Sequence, residues 1–379
     1  MRRRSFLRLG AVSTGLFFVG TAMRAGFAHA QPSPVAIPTV DRLILTSTID
    51  GSYDAVLPTG RMGNITVQRT TGTQPSLVSE HGLGYYLESF VGDDRRAMLL
   101  DFGNTYENLS RNYAALKIDA ASVDALILSH GHADHYGGFV GLADATPEWA
   151  DRGLSLYAGG EDTFCRRWNV APDGSRSGGA QLDEADIEAR GVGIVLAKDP
   201  AVVADHAAIS GQIPRTTDFE TALVDGLPVS ATLQAGRVEV GAKGSICGDV
   251  SHFQPTMTES AQGDIVPDNF QGEIATVYNV RDRGLVIISS CGHSGIVNTI
   301  QHVQAITGIN KVHAVVGGIH LAAAPDAIVA KTADAFQQIQ PDYFVPMHCT
   351  GFYPALMIEH VLPRRVVEPS SGTHIVFGA

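Results

Sequence analysis

What this chain has little of narrows it first. Its 379 residues hold four cysteines, Cys165, Cys247, Cys291 and Cys349, too few for a disulfide scaffold and too widely spread for a zinc-finger pattern. No low-complexity tract and no repeat at solenoid periods is present, which argues against disordered tails and stacked-repeat architectures. Charged residues make up only 17% and hydrophobic ones 44%, so a full core can be buried and the disordered and collagen-like classes drop out. An apolar run of the roughly 20 residues that a membrane helix needs is also missing.

Basic residues are scarce, and they concentrate at one end. Residues 1–30, "MRRRSFLRLGAVSTGLFFVGTAMRAGFAHA", carry five arginines and no acid. A basic start, a short apolar stretch and "AHA" before Gln31 form the anatomy of a cleavable export signal, and Arg3, Arg4, Phe6 and Leu7 resemble the twin-arginine consensus. The expectation is a signal over 1–30 that engages the twin-arginine export machinery, a domain over 31–379, and a periplasmic or secreted location. Without the signal, 22 of the 27 basic residues face 39 acidic ones, a formal charge of −17. Such a surface repels phosphate backbones, so nucleic acid is not an expected partner.

Along the remaining chain, short apolar runs alternate with amphipathic segments. "DRLILTSTI", "GYYLESF", "RAMLLDFG" and "DALILS" predict strands, and "NLSRNYAALKI" predicts a helix capped by Asn108 or Ser110. Near 284–290, 311–318 and 341–348, "GLVIISS", "KVHAVVGG" and "PDYFVPMH" are apolar runs that stop at Gly, Ser, Cys or His. The helical patterns "SGIVNTIQHVQAIT" and "PDAIVAKTADAFQQI" separate them, an α/β arrangement. The span from about 145 to 260 is expected to hold an insertion that walls a substrate; in it "LDEADIEARG" predicts a polar helix ended by Gly191, and "PVSATLQAGRVEV" at 228–240 a hairpin.

The chemistry concentrates in "SHGHADHYGG", residues 129–138. Three histidines and an aspartate, His130, His132, Asp134 and His135, fall within six residues directly behind a strand. His130 and His132 can turn to one centre while Asp134 and His135 reach a second; neutral imidazoles bind zinc, iron and manganese, and a carboxylate adds a hard ligand. Further ligands must come from distant strand ends, where His293, His320 and His348 stand. His302 and His360 lie in helical patterns and His313 within a strand, positions typical of surface or core histidines. His81, His206, His252 and His374 carry no clear signal.

"SHGHADHYGG", with "LLDFGNT" before it, resembles the metal motif of the metallo-β-lactamase superfamily. "EHGLGYYLE", "SGQIPRTTDFE", "SCGHSGIVNTI", "VVGGIHL" and "HCTGF" are together similar to the branch named for the archaeal dihydropterin-ribofuranosylaminobenzene 5′-phosphate synthase. The resemblance implies an αββα sandwich with two divalent ions at one edge, zinc preferred and manganese or iron as alternatives. His130, His132 and His293 would hold the first ion, and Asp134, His135 and His348 the second. Where binuclear members place a bridging aspartate, the matched strand offers Cys291. Two readings stay open, a thiolate ligand or packing behind the ligands, and the second is preferred because the likelier ligand His293 follows.

Such a pair of ions lowers the pKa of water to roughly 7, so that hydroxide attacks an ester, lactone, amide or phosphoester of a small-molecule substrate. Asp134 would orient that nucleophile. His320 would either donate to a leaving group or hold a ligand from behind. Tyr136 is expected as a wall, and Asp101 as the partner that fixes a ligand imidazole. The expected function is an exported metal-dependent hydrolase, with a synthase like the branch's namesake, or a non-catalytic metal-binding protein, as alternatives.

Overall fold

The apolar runs fold as strands buried on both faces. In the strand Asp94–Phe102, Met98 and Leu100 point one way and Ala97 and Leu99 the other, and all four are buried. Gly284–Ser289 does the same, with Val286 and Ile288 on one side and Leu285 and Ile287 on the other. Period-two alternation is therefore hidden under a continuous apolar run, and each strand needs a covering layer on both sides.

The structure, a computed structural model, describes residues 34–70, 76–170, 175–220, 237–239, 265–268 and 270–378. The signal expected over 1–30, His252, Cys247 and most of the hairpin expected at 228–240 lie outside the described residues; of that hairpin the strand Arg237–Glu239 is described.

Two large sheets stack. One has nine strands in the spatial order Gly193–Leu196, Ser155–Ala158, Ala125–Ile127, Asp94–Phe102, Gly84–Val91, Arg42–Ile49, Thr373–Phe377, Ile65–Arg69 and Gly60–Met62. The other runs Ala201–Val203, Ala207–Ile209, Thr276–Val280, Gly284–Ser289, Val312–Gly317 and Tyr343–Pro346, with Thr39–Val40 beside Thr276–Val280. Between them lies the central core, where Leu43, Leu45, Tyr85, Met98 and Leu100 meet Tyr278, Val286, Ile288, Val316 and Val345. Helices Tyr106–Leu116 and Phe139–Asp144 cover the outer face of the first sheet through Leu109, Tyr113, Phe139 and Leu142. Helices Ile296–Thr307, Asp326–Ile339 and Phe352–Val361 cover the second through Ile300, Val303, Phe336 and Ile358. The result is the expected αββα sandwich.

Within the span expected as an insertion, Ser155–Ala158 and Gly193–Leu196 belong to the nine-stranded sheet, and Ala201–Val203 and Ala207–Ile209 to the other. A separate four-stranded sheet, ordered Arg176–Ala180, Arg167–Val170, Arg237–Glu239 and Ile265–Pro267, stands outside both. The predicted polar helix forms as Glu184–Glu188, with Asp183 accepting from the Ala185 N–H and Gly191 in the left-handed region beyond its end.

One helix start differs from expectation. Helix Tyr106–Leu116 is preceded by Thr105, not by Asn108 or Ser110, and Thr105 makes no capping bond to it. The cap is supplied from a distance: the Glu80 carboxylate accepts from the N–H groups of Asn104 and Thr105, from Thr105 Oγ1 and from Asn108 Nδ2, at 2.7–3.0 Å. A carboxylate at a helix N-terminus satisfies the free donors and the dipole together. Glu80 opens the "EHGLGYYLE" motif, which explains that residue.

Candidate metal centre

Parallel pairing decides where the chemistry gathers. Asp94–Phe102 pairs parallel with Ala125–Ile127, and Gly284–Ser289 with Val312–Gly317 and that in turn with Tyr343–Pro346. Their carboxyl ends share one edge of the sandwich, the usual place for a site in sheets of this kind. His130, His293, His320 and His348 each follow one of these ends.

His130, His132 and His293 form a triangle with every pair of ring centroids 4.8 Å apart. Beside it, Asp134 Oδ2 lies 3.1 Å from His348 Nε2 and 3.7 Å from His135 Nε2. The two groups adjoin, the His130 and His135 rings being 4.2 Å apart. All six residues assigned to the metals by resemblance thus come together. His81, which carried no signal, joins them with Nε2 3.4 Å from Asp134 Oδ2.

Cys291 sits among the donors. Its sulfur and one donor atom each from His130 and His293 lie within 4.8 Å of one another, and the same holds for Cys291 with His135 and His348, and for Cys291 with His320 and Cys349. His320 Nδ1 is 3.4 Å from the Cys291 sulfur, and its ring is 4.4 Å from that of His293.

The donor set fits divalent ions. His130 Nε2 and His135 Nε2 are buried with no hydrogen-bond partner, a costly arrangement for an imidazole unless something else takes the lone pair. Asp101 supplies the reason those nitrogens are bare. Its carboxylate accepts from His135 Nδ1 at 2.7 Å and from the Ser129 hydroxyl at 2.8 Å, and that hydroxyl in turn accepts from His130 Nδ1 at 2.9 Å. One buried acid therefore places the proton on Nδ1 of both rings and leaves both Nε2 lone pairs facing the centre. This matches the role expected for Asp101.

Electrostatics act in the same direction at His130 and His132, and against it at His135. Burial pushes His130 well below its ordinary value and takes His132 down to about 4, which keeps both neutral. Burial opposes charge on Asp134, but His135, His348 and His132 outweigh it and hold the carboxyl well down, hence ionised. Burial likewise opposes a charged His135, yet Asp134 and Asp101 win and raise it to about 9, so its Nε2 carries a proton that a bound ion would have to displace.

The backbone around the centre is held under strain. Asp101, His320 and His348 all adopt left-handed φ values of 58°, 46° and 48°, a conformation that costs a non-glycine residue about 1–3 kcal/mol and gathers at functional sites. Gly131, between the first two histidines, has no room for a Cβ, which would collide with the Thr163 carbonyl oxygen and the Arg167 guanidinium. Arg167 is itself buried, donates to the Gly131 carbonyl at 3.1 Å and pairs with Asp268 at 2.5 Å.

Sequence reasoning missed the residues that grip His293. Glu273 accepts from the His293 N–H at 2.8 Å, and Arg215 donates to the His293 carbonyl at 2.8 Å. Phe270 stacks on its ring at 3.8 Å with the planes 6° apart. Downstream, Glu220 accepts from Val297 and Asn298 at the start of helix Ile296–Thr307. Arg215 and Glu220 belong to "SGQIPRTTDFE", so the motif was visible but its task was not. The other histidines lie elsewhere: His302 bonds the Ser210 carbonyl, His313 pairs with Asp342, His206 with Ser89, His374 with Thr46, and His360 is exposed on its helix.

A cavity of about 310 Å³ opens over the centre, lined by His132, Asp134, His320 and His348, with Tyr136 and Trp168 among its walls. Tyr136 is thus a wall, as expected, and Trp168 comes from the separate four-stranded sheet.

Residues 85–217 match the family model of the metallo-beta-lactamase superfamily. A solved metal-dependent hydrolase of the beta-lactamase superfamily superposes with a TM-score of 0.60 at 19% identity, covering 88% of this chain and 98% of its own. The fold is that of the metallo-β-lactamase superfamily. Among curated proteins, the 7,8-dihydropterin-6-methyl-4-(beta-D-ribofuranosyl)-aminobenzene-5'-phosphate synthase of Methanocaldococcus jannaschii is 28% identical over 300 residues, 77% of this chain and 90% of the relative. An uncharacterized protein of the same organism is 22% identical over 284 residues, 72% and 85% of the two chains. The branch resemblance read from short motifs therefore extends over most of the chain, and it links this metallo-β-lactamase fold to a relative named as a synthase.

Proposed function

We propose that the chain is an exported metal-dependent hydrolase acting on an ester, lactone or phosphoester of a small molecule. The observation that carries this is the convergence of six donors beside a cavity, with imidazole nitrogens held bare by Asp101. His130, His132 and His293 would hold one divalent ion and Asp134, His135 and His348 a second, with zinc the best match to a set dominated by imidazoles and manganese or iron the alternatives. Ions held there supply Lewis acidity, lowering the pKa of water to roughly 7 and polarising the electrophilic oxygen.

The chain's own residues do the rest. Asp134, ionised and at the cavity wall, orients the attacking nucleophile. His320 also lines the cavity; burial lowers its pKa there, but Cys349 first, and the acids Glu273 and Asp134 after it, outweigh burial and raise it, and it is placed to give a proton to the leaving oxygen. Tyr136 and Trp168 bound the substrate.

The test is a panel of carboxylic ester, lactone, β-lactam and phosphodiester substrates on metal-quantified protein, with His132→Ala and Asp134→Ala alongside. Close to two ions per chain and loss of turnover by at least 100-fold in both variants are expected. Unchanged turnover in both would refute the assignment. The synthase reading is favoured by the 28% identical relative; formation of the dihydropterin–ribofuranosylaminobenzene 5′-phosphate product that the relative is named for, and no hydrolysis across the panel, would establish it instead. Export is checked by replacing Arg3 and Arg4 with lysine, which should retain the protein in the cytoplasm.

A further inference from the structure

Cys291 and Cys349 make a second arrangement inside the same cavity, one whose sulfurs form and break no bond in the proposed hydrolysis. Their sulfur atoms are 3.2 Å apart, and the Cys349 thiol donates to the Cys291 carbonyl oxygen at 3.4 Å. Both are free thiols, whereas Cys165 is disulfide-bonded. Their closeness has a local cause. Cys291 follows Gly284–Ser289 and Cys349 follows Tyr343–Pro346, and the strand between them, Val312–Gly317, is followed directly by a second glycine, Gly318. A Cβ at Gly318 would stand 2.7 Å from the Cys349 sulfur and 3.3 Å from the Cys291 Cα. The missing side chain opens the gap through which two strand ends that are not neighbours bring their sulfurs together.

Both cysteines line the cavity with His320, so a small solute that reaches the metal donors also reaches sulfur. A disulfide bond measures about 2.05 Å. Closing it from 3.2 Å requires the sulfurs to approach by about 1.1 Å, which side-chain torsions can supply.

We propose that Cys291 and Cys349 are a redox-reactive dithiol that a small hydroperoxide, hydrogen peroxide or a short alkyl hydroperoxide, oxidises in place to a disulfide. One sulfur, as its thiolate, attacks the peroxide oxygen. An S–O bond forms, the O–O bond breaks, the departing oxygen takes a proton to leave as water or alcohol, and the sulfur becomes a sulfenic acid. The second sulfur displaces that hydroxyl group: the S–S bond forms, the S–O bond breaks, and water leaves with the second thiol's proton. In sum, two thiols and one hydroperoxide give a disulfide, an alcohol or water, and a further water. The reaction does not depend on the hydrolytic reading.

The experiment exposes the purified full chain to increasing hydrogen peroxide, denatures it in N-ethylmaleimide, and reads each cysteine by peptide mass spectrometry. Labels on Cys291 and Cys349 should be lost together, a peptide pair joining them should appear lighter by two hydrogen atoms, and dithiothreitol should return both labels. In Cys349→Ser, with Cys349→Ala as a second variant should serine prevent folding, Cys291 should proceed to a sulfinic acid that dithiothreitol does not reverse. The wild-type cross-link is read without any variant. Oxidation of one cysteine without the cross-link, a disulfide between chains, or no label loss at peroxide levels that consume free glutathione would each overturn the proposal.

Discussion

Asp101 does more at this centre than any residue outside the donor set. It sits in a left-handed conformation at the end of its strand, and through the Ser129 hydroxyl and the His135 ring it fixes the tautomer of two imidazoles. Asparagine tolerates the same backbone conformation, so Asp101→Asn isolates the charge and the acceptors from the fold. Partners of this kind typically contribute 10–100-fold to metal affinity. Asp101→Asn is therefore expected to fold with an unchanged circular dichroism spectrum and to bind zinc about 10–100-fold more weakly in a chelator competition. Equal affinity would remove Asp101 from the account of the site. Cys291 poses the other question at this scale. Its sulfur stands among the imidazole donors rather than behind them, and Cys291→Ser compared by metal content separates a ligand from a packed thiol.

At the scale of elements, the loop from Ser290 to Gly295 and the helix Ile296–Thr307 behind it are held by charged side chains from remote segments. Glu220, at that helix's N-terminus, is pushed up to about 7 by burial, despite accepting from the Val297 and Asn298 N–H groups. An acid whose pKa is raised on folding contributes stability that is complete below its unfolded value of 4.5 and is lost as pH rises through about 7. The melting temperature of the wild type should thus fall between pH 5.5 and 8, while Glu220→Gln, neutral throughout, should show a flatter profile from a lower starting point. Thermal unfolding followed across that range checks it; parallel profiles would mean that Glu220 stays charged. The helix Tyr106–Leu116 makes the same point differently. Its N-terminus was misplaced from sequence because its cap, Glu80, is 25 residues from Thr105 in the chain, and capping rules examine only the adjacent residues.

For the whole molecule, the two sheets join at a centre that draws His130, His132, Asp134 and His135 from one sheet's edge and Cys291, His293, His320 and His348 from the other's. An ion held across that edge binds only the folded chain, so it stabilises the sandwich by mass action, about 4 kcal/mol at a thousand times its dissociation constant. Dialysis against a chelator is expected to lower the melting temperature by several degrees and added zinc to restore it. A metal-free form with the same melting temperature, unmoved by zinc, would mean that the donors do not bridge the sheets through an ion. No helix among the described residues is long and apolar enough to cross a membrane.

The strands that lead to the site and the helices between them were legible in the sequence, and the resemblance supplied the six candidate ligands; strands such as Thr276–Val280 and Thr373–Phe377 and helices such as Phe139–Asp144 and Phe352–Val361 were not read. Apolar runs that end in Gly, Ser, Cys or His mark strand ends, and a cluster as dense as "SHGHADHYGG" has little use other than ligation. What the sequence could not specify was distance. That His81 reaches Asp134, that Glu273 and Arg215 grip both sides of the His293 peptide, and that two cysteines 58 residues apart touch depend on parallel pairing that brings separate strand ends to one edge. Local pattern carries the period of a strand and the identity of its last residue. Which ends become neighbours is decided by strand order and by small openings such as Gly318, which exist only once the sheets have formed.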